Sequence, residues 1–164
     1  TAARAPRPSP MYDPDHELTI PSETRRVRNR SRDQQAMKVI LVTSALIWFL
    51  EDAPELPAQV AELVEDAGTH SLVSWATHWE MAVKVGSGKL RLPYSVGDPF
   101  EKLLDDSGFE LLPVTNGALE RAAKLSPNGN DPFNRLLAAE ALEQHATLLS
   151  ADARFDHYGV TRMW

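Results

Sequence analysis

The feature that most constrains the fold is a regular alternation of strand-like and helix-like segments from residue 37 onward. "KVILVTS" (38–44) is a β-branched apolar run, typical of a strand buried on both faces of a sheet. "PAQVAELVEDAG" (57–68) has helical periodicity, begins with proline and ends with glycine. The same reasoning predicts strands at 70–74, 109–114, 147–151 and 160–164, and helices at 45–52, 75–88, 98–108, 115–124 and 131–145. This alternation predicts a single α/β domain with a parallel sheet flanked by helices.

Residues 1–36 have a different composition. "TAARAPRPSP" has three prolines in ten residues, and "ETRRVRNRSRDQQA" is a basic run whose only branched apolar residue is Val27. Such segments bury too little apolar surface to offset the entropy of an ordered chain. We therefore predict a disordered, basic, proline-rich leader over 1–36 and a folded domain over 37–164.

Charge and composition narrow the classes of function. Residues 37–164 contain ten basic and eighteen acidic side chains, and the chain has no cysteine. An acidic domain is a poor general sink for a phosphate backbone, so nucleic acid would need metal ions or a local basic patch. The absence of cysteine excludes thiolate chemistry and fits a reducing compartment. No apolar run approaches the ~20 residues that span a bilayer. We expect a cytoplasmic protein with no membrane partner.

The candidate site residues lie where the predicted strands end. In parallel sheets the functional site is usually at the carboxyl ends of the strands. Convergent carboxylates there would suit a hard divalent cation such as Mg²⁺ or Mn²⁺. The residues that the order of elements places at this edge are Val42, Thr43, Ser44, Glu80, Asp131, Asn134 and Asp152.

Most of these residues also have a purely structural interpretation. Asp131 precedes Pro132 at the start of a predicted helix, which is typical of an N-cap. Asp152 could cap a helix beginning at "ADARF", Val42 fits a core position, and Thr43 or Ser44 could cap the next helix. Residue types and spacing leave both interpretations open.

The segment from Met37 to Trp164 resembles the PIN-domain family, specifically the VapC-type ribonuclease toxins of toxin–antitoxin pairs. The resemblance is carried, in order and with matching spacing, by "ILVTSALIWFL", "SLVSWATHWEMAVKVGSGKLRLP", "GFELLPVT", "NDPFNRLLAAEAL", "LLSADARFDHYGV" and the closing Trp164. It implies a PIN-like parallel sheet and cleavage of RNA by magnesium held among four acidic residues. It also implies an antitoxin protein and a second copy of the chain as partners.

Carried over by position, the family's catalytic set is incomplete in this chain. The resemblance places Glu80 and Asp152 at two of the four acidic positions, where they would hold the metal. The other two acids are replaced by Val42, in "LVTSALIW", and by Asn134, in "DPFNR". A histidine position of the family holds Ser44. Asn134 is isosteric with aspartate but offers a cation only a carbonyl dipole, so we expect weak binding of Mg²⁺ or Mn²⁺.

Three functions are compatible with the sequence. The first is a ribonuclease toxin by descent, with weak or absent activity because two of four acids are missing. The second is a non-catalytic PIN-fold protein that binds an antitoxin, itself or RNA. The third is an unrelated phosphatase-like or nucleotide-binding α/β protein, which is disfavoured because no glycine-rich phosphate loop follows the first strand.

A candidate partner surface is the apolar stretch "ALIWFLEDAPELP". Leu46, Trp48, Phe49 and Leu50 lie close together there, and such a cluster is too apolar to remain wholly exposed. We expect part of this stretch to form a protein–protein surface.

Overall fold

The computed structural model describes residues 36–129 and 131–164. The strands in this part of the chain are β1 (Met37–Leu41), β2 (Thr69–Ser74), β3 (Glu110–Leu112), β4 (Thr147–Leu149) and β5 (Arg162–Met163). The α-helices are α1 (Thr43–Leu50), α2 (Ala58–Glu65), α3 (Trp75–Gly86), α4 (Asp98–Asp106), α5 (Asn116–Lys124) and α6 (Pro132–Gln144), and a 3₁₀ helix spans Ala153–Tyr158. The predicted alternation of strands and helices is confirmed.

The strands described above form one parallel sheet in the order β3-β2-β1-β4-β5. β1 is central: Ile40 pairs with Leu72 of β2 on one side and with Leu148 of β4 on the other. Its residues Val39, Ile40 and Leu41 are fully buried, as expected for a strand with helices on both faces. Because the strand order reverses about β1, its carboxyl end lies where ligands bind in open α/β sheets.

The first strand is shorter than predicted. It ends at Leu41, and α1 begins at Thr43 rather than at residue 45. The Val42 N–H still donates to the Leu149 carbonyl of β4, while the Val42 carbonyl accepts the first helical bond from Leu46. Val42 is thus the joint between strand and helix, which places its side chain at the edge of the sheet.

The apolar stretch in α1 is mostly core. Leu46 and Phe49 are fully buried, Phe49 packs edge-on against Phe109, and Trp48 packs against Trp164. Leu46 and Phe49 therefore belong to the core, and of the four residues only Trp48 and Leu50 are left for a partner surface, which stays a prediction. Trp48 and Leu50 are half-buried against the same core.

Two further expectations concern membrane spans and the N-terminal leader. In the part of the chain that the structure describes, no helix is long and apolar enough to cross a membrane. The predicted disordered leader falls, apart from Ala36, outside the described residues.

Candidate functional site

A cavity of about 350 Å³ opens at the carboxyl ends of β1 and β4. All seven residues predicted from the order of the elements, from Val42 to Asp152, line it. The remaining lining residues were not predicted: Ile47, Lys84, Lys89, Leu90, Leu137, Ser150, Arg154 and Phe155. The topology therefore brings the predicted set into one cavity.

Glu80 enters this cavity from α3 and is buried, with 7% of its surface exposed. Ser74 caps α3 by accepting a hydrogen bond from the Ala76 N–H, which fixes the start of the helix and hence the direction of Glu80. The Thr43 hydroxyl donates to Glu80 Oε2 at 2.8 Å. Lys84, one turn further along α3, lies 2.5 Å from Glu80 Oε1. A carboxylate is retained in this dry position because both of its oxygens are paired.

Asp152 enters from the opposite side, directly after β4. It is the N-cap of the 3₁₀ helix, and its Oδ1 accepts the Arg154 N–H at 2.9 Å. The Arg154 guanidinium also hydrogen-bonds to this carboxylate, with Nη2 donating to Oδ2 at 2.6 Å and Nε to Oδ1 at 3.0 Å. These hydrogen bonds from Arg154 lower the pKa of Asp152 below its ordinary value. Both interpretations of Asp152, as cap and as site residue, are therefore compatible with one conformation.

Asp131 and Asn134 come from the first turn of α6. Asp131 is the N-cap, and its Oδ1 accepts the N–H groups of Phe133 and Asn134 at 3.0 and 3.3 Å. The capping interpretation of Asp131 is confirmed, although the residue also lines the cavity. The Asn134 amide nitrogen lies 3.5 Å from Asp152 Oδ2, where it is a weak donor. A carboxylate in place of Asn134 would face Asp152 as a like charge.

Val42 places a methyl surface in the cavity and is 7% exposed, so it is also a core residue. Ser44, in the first turn of α1, lines the same cavity and is half-buried. α1 begins without a side-chain cap, so neither Thr43 nor Ser44 serves as the helix cap. Thr43 is instead committed to Glu80.

The described residues do not fit a magnesium ion well. No group of three or more histidine, cysteine, aspartate or glutamate side chains in 36–129 and 131–164 is arranged to hold a metal. Of the three carboxylates that line the cavity, Asp131 caps α6, and Glu80 and Asp152 are already paired with cationic side chains. Magnesium requires near-octahedral oxygen ligands and loses its water reluctantly, so two occupied carboxylates are a poor site for it.

The cationic residues of the cavity, Lys84, Lys89 and Arg154, were not predicted. One signal was present in the sequence, because Glu80 and Lys84 are four residues apart on a helix, the spacing of a favourable ion pair. Arg154 follows Asp152 by two residues in a turn, where spacing alone does not determine a contact.

Comparisons with solved structures support the fold. VapBC2 from Rickettsia felis, solved bound to a DNA fragment from their promoter, has a chain that is 17% identical; the match covers 77% of this chain and 98% of that one, with a TM-score of 0.58. FitAcB from Neisseria gonorrhoeae is also 17% identical, with 77% and 96% covered and a TM-score of 0.53. VapBC-1 from nontypeable Haemophilus influenzae is 16% identical, with 77% and 97% covered and a TM-score of 0.52. At these identities, the likeness establishes the fold alone.

The family follows from the sequence itself. No curated protein matches this chain. The family model described as "PIN domain" matches residues 39–160, which begin in β1 and end just before β5 and so include every residue of the cavity. On that match, the chain belongs to the PIN-domain family.

Proposed function

We propose that this chain is a VapC-like PIN-domain toxin of a toxin–antitoxin system whose magnesium-dependent endoribonuclease activity is weak or absent. The observation that carries the proposal is the composition of the cavity at the carboxyl edge of the sheet. All four residues line this cavity: by the resemblance, Glu80 and Asp152 match two of the family's acidic positions, and Val42 and Asn134 match the other two. The cavity thus has the place of a nuclease site and half of its carboxylates.

The chemistry explains why this loss should reduce the rate. When bound in such a site, a divalent metal lowers the pKa of a water molecule and so supplies the nucleophile that attacks a phosphodiester. Here Val42 offers no oxygen ligand, and Asn134 offers only an amide. Since the described residues do not fit the metal, we assign no metal-dependent step to them.

Cleavage of a mixed RNA pool with Mg²⁺ or Mn²⁺, with EDTA as the control, tests the proposal. We expect no EDTA-sensitive cleavage by the chain as it stands. Val42→Asp combined with Asn134→Asp should produce measurable cleavage, and each single change should produce less, because metal ligands act as a unit. Adding Glu80→Gln to the double variant should abolish the gain. Robust EDTA-sensitive cleavage by the unmodified chain would refute the impairment. A folded double variant that stays silent even when Arg154→Ala frees Asp152 would refute the site assignment.

A non-catalytic binding role is the alternative, and one observation favours it. In residues 36–129 and 131–164, five large apolar side chains are exposed, and three of them, Trp75, Trp79 and Val83, lie on one face of α3. They are four residues apart and so form a continuous stripe, which we call the α3 stripe. Trp79 is the most exposed, at 64%. Two tryptophans so exposed on one helix face mark an interaction surface.

We propose a second copy of this chain as the partner of the α3 stripe. Trp79 is the middle member, so a two-fold axis at Trp79 would bring the Trp75 end of one stripe onto the Val83 end of the other. Light scattering after size exclusion should give a dimer for the parent and a monomer for Trp79→Glu. Leu119→Glu, at an exposed apolar position on α5, is the matched control and should remain dimeric. A monomeric parent, or a dimer that Trp79→Glu leaves intact, would contradict the assignment.

RNA and an antitoxin protein complete the set of proposed partners. Both are supported by the resemblance to VapC-type toxins. If the parent is monomeric and RNA protects Trp79 from fluorescence quenching, stacking on bases would explain the stripe instead.

A further inference from the structure

Each carboxylate that remains in the cavity already has a cation from this chain. Lys84 Nζ lies 2.5 Å from Glu80 Oε1, and the Thr43 hydroxyl takes Oε2. Arg154 holds both oxygens of Asp152, with Nε 3.0 Å from Oδ1 and 2.9 Å from Oδ2. All four carboxylate oxygens therefore have an ion-pair or hydrogen-bond partner from this chain in the absence of any added ion.

The charges of the cavity also balance. Three acidic side chains line it, Glu80, Asp131 and Asp152, and three basic ones, Lys84, Lys89 and Arg154, so that its formal charge is zero. Four clustered carboxylates repel one another until a cation binds, and this repulsion is part of what attracts the metal. A neutral cavity lacks that attraction, and a divalent ion would have to displace Lys84 or Arg154 to reach an oxygen.

We propose that Lys84 and Arg154 are built-in counter-ions that occupy the place of the divalent cation and make this cavity independent of metal. The inference rests on the proposed function, because it takes the cavity to be the family's nuclease site. It adds one consequence to the proposed function. Replacing Val42 and Asn134 by acids restores two ligands, but Asp152 stays hydrogen-bonded to Arg154. Arg154 is the stronger of the two barriers, since its planar fork binds a carboxylate in a bidentate manner and is always charged.

The two cations differ in how readily they can be removed. The Arg154 side chain is 61% exposed, so its truncation leaves no cavity and should not unfold the protein. Lys84 pairs with Glu80, whose side chain is 10% exposed, so removing Lys84 would leave an unpaired charge in a buried position. Arg154 is therefore the residue to test.

The experiment measures Mn²⁺ affinity by calorimetry, without any RNA. The parent should show no saturable binding, and Val42→Asp/Asn134→Asp should bind weakly. Adding Arg154→Ala to that double variant should tighten binding about 10-fold or more, because the metal no longer has to displace a charged, bidentate partner from Asp152. Adding Lys102→Ala instead should change nothing, because Lys102 forms an exposed ion pair with Asp106 on α4, outside the cavity.

A second pair of variants avoids the buried Val42. Asn134→Asp, with and without Arg154→Ala, repeats the comparison at a half-buried, isosteric position in case the double variant does not fold. Saturable Mn²⁺ binding by the parent would overturn the proposal, as would equal affinities with and without Arg154 in both comparisons. These failures are distinct from that of the proposed function, which is decided by RNA cleavage. If the parent binds no Mn²⁺ and Arg154→Ala raises the affinity in neither comparison, the counter-ion proposal is refuted, while the proposal of an impaired toxin is unaffected.

Discussion

Replacing Glu140 by glutamine should stabilise the protein at alkaline pH and leave its stability almost unchanged at acid pH. Glu140 lies on α6 and is 1% exposed, and neither of its carboxyl oxygens has a hydrogen-bond partner in the described part of the chain. Burial raises the pKa of Glu140 from 4.5 to about 7. The nearby Ser74 hydroxyl, which does not meet the geometry of a hydrogen bond to it, opposes this rise, and the charge of Glu143 adds to it. The folded protein thus prefers the neutral acid.

The sign and size of the effect follow from this pKa. Between pH 4.5 and about 7 the folded state holds a proton that the unfolded state has released, so the free energy of unfolding falls as the pH rises through this window. Because one pKa unit corresponds to ~1.4 kcal/mol, the full loss is about 3 kcal/mol by pH 8. The stabilising contribution of the neutral acid is present below pH 4.5 and is lost as the pH passes about 7.

Urea denaturation at pH 4 and at pH 8 measures this difference. Subtracting the stability of the parent from that of Glu140→Gln at each pH cancels the carboxylates with lowered pKa, Asp152 and Asp156, which both proteins share. The difference should grow by about 3 kcal/mol from pH 4 to pH 8. Glu120→Gln, at an exposed position on α5, is the control and should give parallel profiles. Parallel profiles for Glu140→Gln would refute the assignment of a buried neutral acid.

Three smaller predictions concern stability. Deletion of residues 1–36 should change the free energy of unfolding by less than ~1 kcal/mol if they form a disordered leader, as chemical denaturation would reveal. Asp131→Ala should cost about 1 kcal/mol through loss of the α6 cap, whereas Asp131→Ser should retain most of it. Thr43→Val keeps the shape but removes the hydrogen bond to Glu80, so denaturation should detect a loss of about 1.5–3 kcal/mol that Thr43→Ser does not show.

The fold could be predicted because its signals are local and repeated. Apolar runs of strand length alternate with capped, amphipathic helices, and a parallel α/β sheet follows from that order. The boundary at Val42 could not be predicted, because α1 begins without a side-chain cap and the β-branched run continues into it. The helix begins with a backbone hydrogen bond to the Val42 carbonyl, and no residue type in the sequence indicates this start.

The site could be predicted as a set of residues but not as a set of contacts. Strand ends and the family resemblance brought together Glu80, Asn134 and Asp152, which line one cavity. The hydrogen bonds from Arg154 to Asp152 depend on the rotamer of Arg154, which sequence spacing does not specify. The burial of Glu140 was also not predicted, for a different reason. Glu140 continues the helical spacing of Phe133 and Leu136 on α6, so periodicity places it on the apolar face. Its residue type argued against burial, because glutamate is usually exposed.

The replacements in the cavity act together on both stability and chemistry. A nuclease site with four carboxylates is costly to a fold without metal, because like charges are held close together in a poorly solvated place. On the proposed assignment, Val42 and Asn134 stand in place of two of those charges, and Lys84 and Arg154 pair with the other two, so the metal-free fold bears no such cost. The interactions that make the cavity stable without a cation are the same ones that deprive a cation of its ligands. Stability and catalysis are therefore opposed at this edge of the sheet, and each acid restored there should weaken the metal-free protein as it strengthens metal binding.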